Sequence, residues 1–323
     1  MKKRLWYIGL ILIVAIFLTA CSSTSSGDKV YKIGASQFVE HPSLDRAYEG
    51  FQAAIADAGL EVEYDLQSAQ ADQNNVKTIS EKFVADNVDL IFANATPNAV
   101  GALQATKEIP IVFTSVTDPV DAGLVESFDK PGDNITGVSD LHPESIEKTV
   151  EFIDTYFSGA TVGLIYNAGE QNSVSQINAV NEAVAGTSLT TVERTVANSS
   201  EVQQAALTLV EEVDVFYIVT DNTVVSALDS VIGVANDHQI PLIVGEPDSV
   251  AKGGFMSYGI DYYTIGYRSG EMAVEILTGE KKPSEIPVEI PPEMKLFINK
   301  DAAEKQGVEW HSDWDDAEFV ETE

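Results

Sequence analysis

Polar side chains able to hold a small ligand gather in short stretches, each closing an apolar run that reads as a β-strand. In the first half of the chain these are Ser36-Gln37-Phe38, Ala95-Thr96-Pro97, Ser115-Val116-Thr117-Asp118 and Ser139-Asp140. In the second half they are Asn167-Ala168-Gly169-Glu170 with Asn172-Ser173, Thr220-Asp221-Asn222, Gly245-Glu246 and Tyr258-Gly259-Ile260-Asp261. Hydroxyls, amides and carboxylates dominate, and none of these stretches contains Lys or Arg. A site for phosphate, sulfate or a dicarboxylate would normally carry Arg or Lys to offset the extra charge. A single carboxylate can be met by Ser and Thr hydroxyls and by the N–H groups of helix starts, while acidic side chains suit an ammonium. The set points to a zwitterion. Its carboxylate would lie at Ser115, Thr117 and the helix start at Thr96, and its ammonium at Asp221, Glu246 or Glu170.

Each of these residues also has a purely structural reading. Thr96 and Asp221 are natural N-cap residues, with Pro97 at the first helical position, and cap alone or cap plus ligand are both open. Glu170 lies in a Gly-containing turn, where solvent exposure is the plain expectation. Glu246 follows an apolar strand, where a solvated carboxylate is less expected. Ser115 and Thr117 are two hydroxyls at alternate positions of a strand end, an arrangement with little other use. Phe38, Tyr166 and Tyr258 are read either as core aromatics or as a lining for a large ligand side chain, and Tyr262 as a core aromatic. His41 precedes Pro42 and starts a helix. As a metal ligand it has no spaced partner, and His142, His238 and His311 are scattered. No G-x-S-x-G elbow, H-E-x-x-H pair, P-loop or G-x-G-x-x-G occurs, so binding is expected rather than catalysis, with no cofactor and no metal.

The elements that must position these residues come in a duplicated pattern. Val88 to Pro119 holds an apolar run, a polar loop, a helix of Ala and Leu spacing, an Ile-Pro and a second apolar run, and Val213 to Asp248 repeats that order. Tyr31 to Gln37 and Thr161 to Asn167 form a further pair. The expected fold is α/β, with two similar doubly wound parallel-sheet lobes joined by a hinge near Asp140, Ile260 and Pro283. The first lobe would take residues 30–140 plus 261–282, and the second 141–260 plus 283–308. Strand ends at the mouth of an open parallel sheet are where ligands sit. That rule selects Ser36, Gln37, Thr96, Ser115, Thr117, Asp140, Asn167, Glu170, Asp221, Asn222, Glu246 and Tyr258 as candidate ligand-binding residues.

Residues 1–20 open with Lys2, Lys3 and Arg4 and continue as an apolar run to Leu18, the order of a secretory leader. Leu18-Thr19-Ala20-Cys21 ends it at the only cysteine of the chain. An exported lone thiol invites unwanted pairing, and lipidation of Cys21 would remove it and anchor the protein to the membrane, leaving 21–29 as a tether. The net charge is −32, which disfavours nucleic acid and anionic headgroups. The acidic segment 309–323 reads as disordered.

The lipobox, the Ser-rich tether and the two-lobed α/β pattern resemble the type I periplasmic-binding-protein fold used by substrate-binding lipoproteins of ABC importers. More narrowly, IGASQFVEHPSLD, IFANATPNAV, IVFTSVTDPVDAGLV, NITGVSD, Tyr166-Asn167 and LFINKDAAEKQGV are similar to the subgroup associated with tryptophan or tyrosine uptake. The resemblance implies an extracytoplasmic, monomeric receptor that closes around an amino acid and docks on the transmembrane subunits of a permease. It marks Ser36, Gln37, Thr96, Ser115, Thr117, Asn167, Asp221 and Glu246. The nearest competitor is a sugar or nucleoside receptor of the same fold. Sugar sites commonly stack the ring on Trp, whereas Trp6 lies in the leader and Trp310 and Trp314 in the acidic segment. An extracellular enzyme or a surface interaction protein is a more distant alternative.

Overall fold

The computed structural model describes residues 29–291 and 293–322. The leader, Cys21 with its expected lipid, and the tether up to residue 28 lie outside the described residues.

From Tyr31 onward the chain alternates strand and helix. In the first lobe these are β1 (Tyr31–Gln37), α1 (Pro42–Asp57), β2 (Val62–Ser68), α2 (Gln73–Ala85), β3 (Leu90–Asn94), α3 (Thr96–Ala105), β4 (Ile111–Val116) and β5 (Ile135–Ser139). The strands form an all-parallel sheet in the order β2-β1-β3-β4-β5. Because helices cover both faces, β3, β4 and β5 are mostly apolar and buried at every position, with Asn94, Thr114, Ser115, Thr136 and Ser139 as their polar members.

The second lobe opens with α4 (Ser145–Tyr156), β6 (Thr161–Tyr166), α5 (Gln171–Val184), β7 (Thr190–Thr195) and α6 (Val202–Leu209). It continues with β8 (Val215–Ile218), α7 (Asn222–Val225), α8 (Leu228–His238), β9 (Leu242–Val244), α9 (Pro247–Lys252) and β10 (Met256–Gly259). The chain then runs through α10 (Tyr262–Leu277), β11 (Lys295–Ile298), α11 (Lys300–Lys305) and β12 (Glu318–Phe319). The second sheet has the order β12-β11-β10-β9-β8-β6-β7 and is parallel except where β11 runs antiparallel to β10.

Helix α10 returns to the first lobe and lies on α1. A Cβ on Gly266 would stand 1.9 Å from the Ala47 carbonyl oxygen, and one on Gly50 2.1 Å from that of Tyr263. Backbone therefore meets backbone at this crossing, and only glycine permits it. The segment after α10 stays in the first lobe as well, contrary to the boundary expected at 283. Ile286 and Val288 are buried in first-lobe cores, Thr136 Oγ1 donates to Ile286 O at 2.6 Å, and Glu289 N donates to Gly137 O at 3.1 Å. Proline punctuation marked the stretch as a connection, but Ile and Val at alternate positions gave it a sheet edge to join. The third crossing consequently lies between Glu289 and Lys295, where β11 begins pairing with β10, and not at Pro283.

The acidic segment is ordered, which corrects the expectation from charge alone. Trp314 is 2% exposed and stacks on Phe152 at 5.4 Å, with Tyr156 and Phe255 around it. Lys295 pairs with Glu318 at 2.8 Å, and Lys300 Nζ sits 3.7 Å from the centre of the Phe319 ring. Spaced aromatics supply the apolar area that a purely acidic run would lack. Trp314→Ala should therefore cost about 3–5 kcal/mol of unfolding free energy, as expected for emptying a buried aromatic site. Denaturant midpoints read this directly, and an unchanged midpoint would mean that the segment contributes nothing to the core.

Candidate functional site

The C-terminal ends of the two sheets face each other, and a closed chamber lies between them. Ser115, Thr117, Asp140, Asn222 and Glu246 line it together with His41, Leu44, Asn172, Thr220, Val225 and Tyr262. The first lobe supplies the loop after β1, the ends of β4 and β5 and the start of α10. The second supplies the start of α5, the loop into α7 and the end of β9.

Ser115 reaches the chamber through a strained backbone. Its φ is +57°, and the pairing of β4 with β5 slips between Phe113 and Val116. A bulge of this kind re-aims a side chain at a strand end. The Ser115 hydroxyl is buried and has no hydrogen-bond partner. Thr117 Oγ1 accepts from Gln176 Nε2 of the opposite lobe at 3.4 Å, and its hydroxyl is also a hydrogen-bonding neighbour of the Asp140 carboxyl. Asp140 is 8% exposed; Tyr262 donates to its Oδ2 at 2.8 Å, and Oδ1 has no partner. Burial raises the Asp140 pKa to about 6, opposed by the Tyr262 and Thr117 hydroxyls and by the backbone of Asp140.

The other acidic candidates are already satisfied. Asp221 is fully buried, caps α7 by accepting from Val224 N at 2.7 Å, and accepts from Asn167 N at 2.6 Å. Burial, and then repulsion from Glu170, push its pKa up. Glu170 is 1% exposed and not solvated as its turn suggested. It accepts from the backbone N–H and side chains of both Asn222 and Thr223, at 2.6 to 3.2 Å. Glu246 caps α9 through Ser249 N at 3.1 Å and accepts from Ser43 Oγ of the first lobe at 2.6 Å. These three carboxylates build the second-lobe loops and the seam between lobes.

The remaining candidates stand outside the chamber. Gln37 Nε2 donates to Val39 O and to Asp45 Oδ1, fixing the loop behind it. The hydroxyls of Ser36 and Thr96 are buried without partners. Thr96 is the first residue of α3 rather than its cap, which is Ala95 at φ +94°. Asn167 lines an outer cleft with Phe38 and Glu201. Tyr258 packs against the second-lobe core near Phe152, and Tyr166 bonds Glu193 at 2.9 Å. The expected aromatic lining of Phe38, Tyr166 and Tyr258 is therefore not assembled. His41, Leu44, Asn172, Thr220, Val225 and Tyr262 were not among the candidate residues. Asn172 and Thr220 lie in the strand-end stretches read from the sequence but were not selected from them, and His41 could have been found from its place in the loop after β1. Among the described residues no three His, Cys, Asp or Glu side chains gather to hold a metal.

A family model described as ABC transporter substrate binding protein matches residues 32–313. A "Tyrosine-binding protein" of Clostridioides difficile (strain R20291) is 43% identical over 300 residues, covering 88% of this chain and 86% of that protein. A domain from Streptococcus pneumonia solved in complex with L-Trp superposes with a TM-score of 0.85 at 33% identity, covering 90% of this chain and 100% of that chain. A substrate-binding protein with adhesive properties from Clostridium difficile, solved ligand-free and open, gives 0.66 at 39% identity, over 91% of this chain and 100% of that chain. The lobes here stand in the closed relation, bridged by Ser43 with Glu246 and by Gln176 with Thr117.

A raised carboxyl pKa makes folding favour the protonated form. The stabilisation is complete below the ordinary value near 3.8 and is lost as pH rises through about 6. Asp140→Asn should therefore equal or exceed wild type in stability at about pH 7.5, by a few kcal/mol at most, keep roughly half of that advantage at about pH 5 and lose it below the ordinary carboxyl value near 3.8. Equal destabilisation across this range, read by chemical unfolding, would instead make the ionised carboxylate a structural anchor.

Proposed function

The chain belongs to the ABC transporter substrate-binding protein family, and we propose that it captures an aromatic amino acid between its lobes and hands it to an importer permease. As a member of that family it is an extracytoplasmic binding component and not an enzyme, with a small-molecule ligand and a permease as partners. The observation that carries the amino-acid reading is the pairing, within one closed chamber, of an unpartnered Asp140 Oδ1 with an unpartnered Ser115 hydroxyl. A half-paired buried carboxylate calls for a cation, and a ligand ammonium provides one. Asn172 Oδ1, also buried and unpartnered, is a second acceptor for it. Ser115 offers a neutral donor to the ligand carboxylate. The ammonium thus faces Asp140, in place of Asp221, Glu170 or Glu246, whose oxygens are occupied.

Leu44 and Val225 give the chamber apolar surface for a ligand side chain. The tyrosine-binding relative and the L-Trp complex support an aromatic one. No Trp lines the chamber, so a sugar would lack the stacking face that its ring commonly uses. Hinge closure at the three crossings would trap the ligand, and the single Cys21 after a secretory leader supports a lipid anchor at the outer membrane surface of the cell.

Calorimetric titration of the mature protein should show binding of tyrosine or tryptophan. Ser115→Ala should cost about 0.5–1.5 kcal/mol, and Asp140→Asn several kcal/mol. Binding of a sugar or nucleoside with no aromatic amino acid, or wild-type affinity in Asp140→Asn, would overturn the reading. For the anchor, Cys21→Ala should move the protein from the membrane fraction to the medium, and continued retention would refute lipidation at that residue.

A further inference from the structure

His41 is buried, 8% exposed, and lines the chamber. It stands at the N-cap of α1 yet makes no capping bond with its side chain. Its Nε2 lies 3.5 Å from Asn222 Oδ1, across the seam between the lobes, and its Nδ1 has no partner. The orientation of Asn222 is fixed from behind, because Asn222 Nδ2 donates to Glu170 Oε2 at 2.6 Å. A carboxylate can only accept, so the amide nitrogen must face Glu170 and the amide oxygen must face His41. An amide oxygen in turn requires a proton on Nε2. In a neutral imidazole that leaves Nδ1 as a bare acceptor. Burial lowers the His41 pKa to about 4, so the ring is neutral across the physiological range.

Glu170 thereby acts through Asn222 to choose the tautomer of His41, and the chamber acquires a neutral acceptor that no protein group satisfies. Of the donors on a zwitterionic amino acid, the ammonium is claimed by Asp140. The others are on the side chain: the O–H of a phenol or the N–H of an indole. Phenylalanine and leucine have neither, and would bury the Nδ1 lone pair unpaired.

Resting on the amino-acid reading above, we propose that His41 Nδ1 accepts a hydrogen bond from the ligand side chain and selects tyrosine or tryptophan over phenylalanine. A site built to bond a ligand hydroxyl or N–H discriminates strongly against the analogue that lacks it.

The test is titration of wild type and His41→Leu with tyrosine, tryptophan and phenylalanine. Wild type should favour tyrosine or tryptophan over phenylalanine by about 10-fold or more. In His41→Leu the ratio should fall to within about threefold, chiefly through weaker binding of the donor-bearing ligand. Losing the contact to Asn222 would hinder closure on every ligand equally, so the ratio, unlike the affinity itself, isolates Nδ1. An unchanged ratio in His41→Leu overturns the proposal while leaving the amino-acid reading intact. Failure of wild type to bind any of the three overturns both. Imidazole 15N spectra of wild type give an answer that needs no variant. The His41 Nδ1 resonance should shift upfield with tyrosine and stay in place with phenylalanine, and equal shifts with both ligands would contradict the assignment.

Discussion

Four carboxylates, Asp140, Glu170, Asp221 and Glu246, are buried where the two lobes meet, and among the described residues none of them is paired with Lys or Arg. A buried charge without such a partner must be held by hydrogen bonds or remain protonated. That constraint organises the site. Glu170 takes four donors, Asp221 takes two backbone N–H groups, and Glu246 takes donors from both lobes. Asp140 alone among them keeps an oxygen without a partner. Among the described residues no Lys or Arg lines the chamber, and Arg46, which is largely exposed, lies 4.0 Å from Asp248 and 3.7 Å from Asp261. A cation inside would neutralise Asp140 permanently and remove its use for a ligand.

The rest of the fold makes this arrangement possible without rigidity between the lobes. Parallel sheets bring polar loops to one end of each lobe, and three crossings join them. Backbone contact at Gly50 and Gly266 ties α10 to α1, so the start of α10, with Tyr262, is held in the first lobe beside Asp140. Few bonds bridge the seam in the closed form, and all involve short polar side chains or surface pairs. A ligand can supply the balance of free energy between open and closed arrangements, as expected of a receptor whose states differ by little.

The two lobes were legible in the sequence because duplication and apolar runs are local patterns. The site was legible as a set of loops, since Ser115, Thr117, Asp140, Asn222 and Glu246 do converge. The roles within that set were not. Nothing in the turn Ala168-Gly169-Glu170 tells that Asn222 and Thr223, half a lobe away, will close over Glu170. Asp221 and Glu170 looked alike as ammonium acceptors because sequence gives residue type, whereas function here depends on which lone pairs are already used. Tyr258 was chosen for its strand end, but its ring turned to the core side of the sheet. Residues 283–289 and 309–322 were misplaced for a related reason. Proline content and charge were given more weight than the few apolar residues, Ile286, Val288 and Trp314, that decide where such segments pack.

The central claim is that the free oxygen of Asp140 is kept for the ligand ammonium. It is tested most directly by removing the ammonium from the ligand while keeping the carboxylate and the phenol. Calorimetry would compare tyrosine with 3-(4-hydroxyphenyl)propionate in wild type and in Asp140→Asn. The account predicts that wild type rejects the deaminated compound and that the difference between the two ligands largely disappears in Asp140→Asn. Equal binding of the two ligands by wild type would contradict it.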